Sequence, residues 1–186
     1  MIRLFVALAL PGDVRDRLAG LGGGVPGARW LESAALHLTL RFIGETDQAR
    51  LHDLDAELAR IEVEPFELVL DGVGQFGTGR KVHTLWAGVE RSEALAHLQA
   101  KVESAVVRAG FPPESRKFTP HVTLARLKEA HPERLMRFLA GNGLFRSRPV
   151  AVDGFALYRS HQGRGGAIYQ VLCDYPLCLG DGGEPA

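Results

Sequence analysis

Leu36-His37-Leu38-Thr39-Leu40-Arg41-Phe42-Ile43 is the stretch on which the fold turns. Apolar and polar residues alternate along it, a period of two that belongs to a strand with one face against a core. Leu36, Leu38, Leu40 and Phe42 fall on the apolar face, and His37, Thr39 and Arg41 on the other. The same order returns 84 residues later as His121-Val122-Thr123-Leu124, inside a strand-like run from Pro120 to Leu127. Each strand presents an imidazole and a hydroxyl about 6–7 Å apart on one face, backed by two aliphatic side chains. In both places a strand is followed by a helix. That recurrence predicts a duplication about a pseudo-twofold axis, which would bring the two polar faces to one cleft.

Outward from these strands, the chain alternates short elements of both kinds. Leu4 to Leu10 reads as a buried strand, and Val14, Leu18 and Leu21 follow at helical spacing until Gly22-Gly23-Gly24. Ala28 to Leu31 is a short strand. Asp47 caps a helix carrying Leu51, Leu54, Leu58 and Ile61, and Ser92 caps another carrying Leu95, Leu98, Val102 and Val106. Phe66 to Leu70 and Val82 to Val89 read as strands joined by a glycine-rich loop. A helix opens at Pro132 and closes at Gly141, then strands follow near Val150 to Tyr158 and Ala167 to Tyr175. No composition shift marks a boundary. The expectation is one α+β unit over residues 1–179 with a disordered tail at 180–186.

Composition narrows the function. The chain has 186 residues, 46% apolar, with 22 basic and 22 acidic side chains. An ordinary apolar fraction excludes disorder as the main state, and zero net charge excludes a broad cationic field for nucleic acid. Any nucleic-acid contact must be local and involve few phosphates. Cys173 and Cys178 are too few for a disulfide framework or a four-ligand zinc site, which reads as a reduced, cytoplasmic protein. The apolar run at Leu4 to Leu10 is only seven residues long and fits a first strand better than a signal peptide. No stretch reaches the roughly 20 apolar residues of a membrane span.

Two His-plus-Thr faces around one centre are equipment for displacement at phosphorus without a metal. One imidazole can act as base and the other as acid, while the hydroxyls hold the non-bridging oxygens. One such histidine alone would be an ordinary strand residue; the repeat changes that reading. A metal site fits less well, because neither motif has an acidic residue at i±2 or i±4. Arg126 breaks the alternation of its strand, so a bulge or strand end must re-aim it, and it becomes a candidate phosphate clamp. Arg41, on the His37 face by alternation, is a weaker second candidate. Gly72-Val73-Gly74-Gln75-Phe76-Gly77 matches the dinucleotide fingerprint in letters, but a strand follows it where a helix is required. Ser160 to Gly166 reads as a hairpin tip. Burial accounts for Trp86, and the cysteines read as packing residues.

The two His-x-Thr-x motifs resemble the signature of the two-histidine phosphoesterase superfamily, and within it the RNA 2′,3′-cyclic phosphodiesterases, also described as 2′-5′ RNA ligases. The likeness extends to Arg3-Leu4-Phe5-Val6-Ala7, Leu85-Trp86-Ala87-Gly88-Val89, Phe118-Thr119-Pro120, Leu157-Tyr158-Arg159-Ser160 and Ala167-Ile168-Tyr169. It implies a bilobal α+β fold with two antiparallel sheets around a central cleft, helices outside, and no metal or nucleotide cofactor. The implied reaction opens an RNA 2′,3′-cyclic phosphate to a 2′-phosphate, with ligation of a 5′-hydroxyl end as the reverse displacement. By position His37 is the proton donor and His121 the proton acceptor, while Thr39, Thr123 and Arg126 hold phosphoryl oxygens. Spacing alone does not tell the two histidines apart. The implied partner is RNA with a cyclic phosphate end, tRNA halves included, and the chain is expected to act as a monomer away from membranes. Two alternatives stand beside this: a phosphodiesterase for small cyclic nucleotides or 2′-5′ oligonucleotides, and a non-catalytic RNA-end binding module. Phe42 and Tyr158 are the rings available to stack on a terminal base, but alternation assigns Phe42 to the core.

Overall fold

The computed structural model describes residues 1–163 and 166–178; the expected tail at 180–186 lies outside them. In chain order the elements are β1 (Ile2–Ala9), α1 (Gly12–Ala19), β2 (Ala28–Trp30), β3 (His37–Thr46), α2 (Gln48–Leu58), β4 (Phe66–Leu68) and β5 (Leu70–Phe76). They continue as β6 (Thr84–Val89), α3 (Glu93–Arg108), β7 (His121–Leu127), α4 (Pro132–Asn142), β8 (Val150–Val152), β9 (Gly154–Gly163) and β10 (Gly166–Pro176). This is the expected α+β class, and every strand pairing is antiparallel.

The large sheet runs β10-β9-β1-β3-β7-β6-β5, with β2 added to β7, and β4 pairs with β8 separately. Its two halves join at the middle, where β3 meets β7 at Leu38 and Val122. Those two residues are 84 apart, as are the histidines. The same interval relates both ends of α2 to both ends of α4, and β4 to β8. In the β4–β8 pair, Glu67 faces Ala151, again 84 apart. In an antiparallel pair, residues that are repeat-mates and also directly opposite lie on the axis relating the strands. The pseudo-twofold axis therefore passes through Leu38–Val122 and Glu67–Ala151.

Caps and burial explain the outer layer. The Asp47 carboxylate accepts from the Arg50 amide at 2.9 Å, and the Ser92 hydroxyl from the Leu95 amide at 3.1 Å, as the N-cap residue types predict. Leu54 and Leu58 of α2 and Leu95, Leu98, Val102 and Val106 of α3 are fully buried behind the sheet. At about 1.5–3 kcal/mol per buried aliphatic side chain, this stripe is what fixes the helices to the sheet. The other face of the sheet carries His37, Thr39, His121 and Thr123.

Three expectations change. The segment read as a glycine-rich loop after Leu70 is strand β5. Gly74 is there for room: a Cβ on it would stand 2.2 Å from the Trp86 ring on the neighbouring strand, while Gly72 has a φ of +69°. Gly72 to Phe76 lie within β5, and a three-residue 3-10 turn at Gly79–Lys81 leads on to β6, so the segment after the run is a strand, as expected, and not an α-helix. The strand expected from Val150 to Tyr158 is two strands, broken at Asp153. Most of the Ser160 to Gly166 tip belongs to β9 and β10, while residues 164 and 165 lie outside the described residues.

The third change concerns faces. In β3, Thr39 pairs with Ala7 and Arg41 with Val6, so Leu40 is an extra residue in a bulge. Leu40 and Arg41 are consequently both buried, and Phe42 turns outward with 46% of its surface exposed. Phe42 is not core. Arg41 is no phosphate clamp: it is 8% exposed, and its guanidinium holds Glu103 Oε2 at 2.5 Å, the Pro112 carbonyl at 2.6 Å and the Phe42 carbonyl.

Candidate active site

His37 and His121 open their strands on either side of the axis, each one residue from the seam pair Leu38–Val122. Leu38 and Val122 are fully buried beneath them. Each ring is held in the same way. His37 Nδ1 lies 2.8 Å from the Ala35 carbonyl oxygen, and His121 Nδ1 lies 2.7 Å from that of Thr119. A carbonyl only accepts, so Nδ1 donates in both rings and Nε2 is the nitrogen left for chemistry. Ala35 and Thr119 are themselves 84 apart, so the repeat extends to how the imidazoles are aimed.

Thr39 and Thr123 follow on the same faces, both half-buried. Arg126 reaches this face by the device the broken alternation called for. Trp86 pairs with Thr123 and Leu85 with Ala125, leaving Leu124 as the extra residue of a bulge. Leu124 and Ala125 are both buried, and Arg126 emerges exposed. Its Nη1 donates to Thr84 Oγ1 at 2.9 Å, and Thr84 is fully buried. The His83 imidazole also meets that oxygen at 2.9 Å. The bulges at Leu40 and Leu124 are repeat-mates, and so are the residues they turn out, Phe42 and Arg126.

Both imidazoles sit below the ordinary histidine range. For His37 burial is the main cause, since it penalises the charged ring; the positive charges of His121 and Arg126 add to it, and the Ala35 carbonyl opposes it. Burial also leads for His121, opposed by its Thr119 contact and reinforced by Arg126. The two histidines and Arg126 thus share one positive electrostatic field.

Aromatic rings enclose the histidines. Phe5 lies 4.8 Å and Tyr169 5.0 Å from the His37 ring, with Tyr158 at 6.2 Å. Phe76 meets the His121 ring edge-on at 4.7 Å, and Trp86 stands at 6.3 Å. Sequence reasoning brought together His37, His121, Thr39, Thr123 and Arg126, and strand register puts all five on one face of the large sheet. It missed Phe5, Phe76, Tyr169 and Thr84. Phe5 sits in an unbroken apolar run, and Thr84 is tied to Arg126 only through strand register. Among the described residues no three of His, Cys, Asp and Glu come together as a metal-holding group, and no helix is long and apolar enough to cross a membrane.

This arrangement has counterparts. Residues 17–164 match the model of the 2′-5′ RNA ligase superfamily. An RNA 2′,3′-cyclic phosphodiesterase of Aeropyrum pernix is 35% identical over 86% of this chain and 90% of its own. One from Thermotoga maritima is 32% identical over 84% and 82%. Among solved structures, TT0787 of Thermus thermophilus superposes with a TM-score of 0.76 at 30% identity, covering 94% of this chain and 97% of its own. E. coli LigT complexed with 3′-AMP gives 0.74 at 28% identity, covering 95% and 98%. The duplicated histidine strands, the sheet order and these matches agree: the chain belongs to the 2′-5′ RNA ligase superfamily.

Proposed function

We propose that this protein hydrolyses RNA 2′,3′-cyclic phosphate ends to 2′-phosphates by metal-free acid–base catalysis between His37 and His121. The observation that carries the reading is the pair of imidazoles pinned through Nδ1 to backbone carbonyls beside one axis, each with Nε2 left over, with Arg126 in the same field. The relatives named RNA 2′,3′-cyclic phosphodiesterase support the substrate class.

The roles of acid and base are those that the family resemblance implies. His121 Nε2 takes a proton from water as the water oxygen attacks phosphorus. The P–O3′ bond breaks, and O3′ takes the proton from His37 Nε2, leaving a 2′-phosphate and a 3′-hydroxyl. Thr39, Thr123 and Arg126 donate to the non-bridging oxygens, where negative charge builds up. His37 must be charged to donate, although burial lowers its proton affinity. A bound phosphodiester anion favours the charged ring and raises its proton affinity. With a 5′-hydroxyl in place of water, the same displacement yields a 2′-5′ linkage. The reading takes residues 1–179 as one bilobal domain, acting as a cytoplasmic monomer on RNA ends such as those of tRNA halves. Phe42 and Tyr158 offer rings to a terminal base.

The test is hydrolysis of an RNA oligonucleotide ending in a 2′,3′-cyclic phosphate, with EDTA present, by wild type and His121→Ala. We expect turnover to a 2′-phosphate end, reduced at least about 100-fold in the variant. Near-normal rates in His121→Ala would overturn the mechanism. A wild type that turns over only small cyclic nucleotides would overturn the substrate assignment.

A further inference from the structure

A hydroxyl buried in a strand needs a reason, because valine has nearly the same shape and no polar atom to satisfy. Among the described residues the buried polar side chains are Arg41, Thr46, Thr84 and Ser147. Ser147 Oγ serves the backbone, accepting from the Leu70 amide at 2.9 Å and donating to the Arg148 carbonyl at 2.7 Å. Thr84 does something else. It opens β6 fully buried, and its Oγ1 meets two side chains, Arg126 Nη1 and His83 Nδ1, each at 2.9 Å.

The donors give this chain its order. A guanidinium only donates, so Thr84 Oγ1 accepts from Arg126. The hydroxyl proton is then left for His83 Nδ1, which accepts it when that ring carries its own proton on Nε2. From Arg126 through Thr84 to His83 the bonds run head to tail, each polarising the next. His37 and His121 are held the opposite way, donating from Nδ1 to carbonyls. The backbone secures both ends. The His83 amide donates to the Phe76 carbonyl and the Leu127 amide to the His83 carbonyl, each at 3.0 Å. Thr84 and Arg126 are also directly opposite each other on β6 and β7, so the sheet register itself brings the hydroxyl to the arginine.

Arg126 has use for such a hold. It is exposed, and an arginine gives up much rotamer freedom when it grips a ligand. A buried acceptor removes that freedom in advance, and the ligand no longer bears the cost. The bond to Thr84 uses one of the five guanidinium N–H donors, and the planar fork can still reach phosphate oxygens with the others. In the other half of the sheet the same row is Phe5 opposite Phe42, so the device belongs to the β7 half.

We propose that Thr84, backed by His83, is a positioning residue for Arg126: its buried hydroxyl holds the guanidinium beside the two histidines before substrate arrives. This rests on the phosphodiesterase reading of the site and names what aims its phosphate-binding arginine.

The test compares wild type, Thr84→Val, Thr84→Ser, Arg126→Ala and the double variant Thr84→Val/Arg126→Ala on an RNA oligonucleotide with a 2′,3′-cyclic phosphate end. Thr84→Val should lower kcat/KM about tenfold, the scale of a lost hydrogen bond to a charged group. Thr84→Ser, which keeps the hydroxyl, should recover most of that loss. In the Arg126→Ala background Thr84→Val should cost nothing further, because the group it aims is gone. Equal losses in the two backgrounds, or a serine variant as impaired as valine, would overturn the proposal.

A second readout needs no turnover. Arg126 lowers the proton affinity of both histidines, so Arg126→Ala should raise the pKa of the His37 and His121 rings in an NMR titration. Thr84→Val should move both part of the way in the same direction, and rings that titrate as in wild type would reject the positioning role. A wild type that turns over nothing overturns the phosphodiesterase reading, and this titration then judges Thr84 alone. Thermal unfolding checks that each variant is folded, with Thr84→Ala taking the place of an unfolded valine variant.

Discussion

Arg41 and Arg126 show how little a residue's type decides about its role. Both are arginines shortly after a His-x-Thr motif. Arg41 occupies the buried position after the Leu40 bulge and ties β3 to Glu103 of α3 and to Pro112. Arg126 stands one residue further along its own repeat and emerges into the cleft. At this scale the two histidines carry a pH prediction. In the free protein both imidazoles sit below the ordinary range, yet the reaction needs one neutral and one charged. The bell-shaped profile of kcat/KM, which reports the free enzyme, should therefore centre on the acid side of the ordinary histidine value, about 6.5. A bound phosphate anion favours the charged ring, so the alkaline limb of kcat should lie above that of kcat/KM. Coincident alkaline limbs would show that the substrate's charge does not reach His37.

At the scale of elements, the motifs, the helix caps at Asp47 and Ser92 and most strands were legible, because each is written in consecutive residues. The bulges were legible in only one repeat. Leu124-Ala125-Arg126 breaks alternation visibly, whereas Leu40-Arg41-Phe42 keeps it, so nothing within β3 shows that two of its residues face one across the strand gap. Pairing with β1 decides that, and it inverted the faces of Arg41 and Phe42. Strand β5 was hidden for a related reason. Glycine reads as loop, but Gly74 is where the Trp86 ring needs a strand without a side chain. Gly74→Ala should therefore destabilise the protein by about 1–3 kcal/mol through overpacking against Trp86. Chemical unfolding measures this; a variant as stable as wild type would mean that the ring has room to move.

For the whole molecule, the seam is the critical contact. The halves of the large sheet meet at Leu38 and Val122, both fully buried, directly between the histidine-bearing strand ends. Leu38→Ala should cost about 2–5 kcal/mol. It should do so in one cooperative step, with tryptophan fluorescence and far-ultraviolet circular dichroism reporting the same transition. Trp30 and Trp86 both lie in the β7 half of the sheet, so separated transitions would show that the halves unfold independently. The same contact sets the spacing of the histidines, so a loss of stability here should be accompanied by a loss of turnover.

The twofold relation has a further consequence. A perfectly symmetric cleft would hold a strand equally well in either direction, because exchanging the halves would leave every contact unchanged. At the histidines, their carbonyl partners and the threonines the halves are alike, and those positions are blind to strand polarity. They part at the next row. Phe5 faces Phe42 in one half, with ring centroids 6.0 Å apart, and Thr84 faces Arg126 in the other. One end of the cleft is greasy and the other is charged. On the proposed phosphodiesterase reading, these two pairs, one row from the histidines, are where the 5′-to-3′ sense of a bound strand would be read.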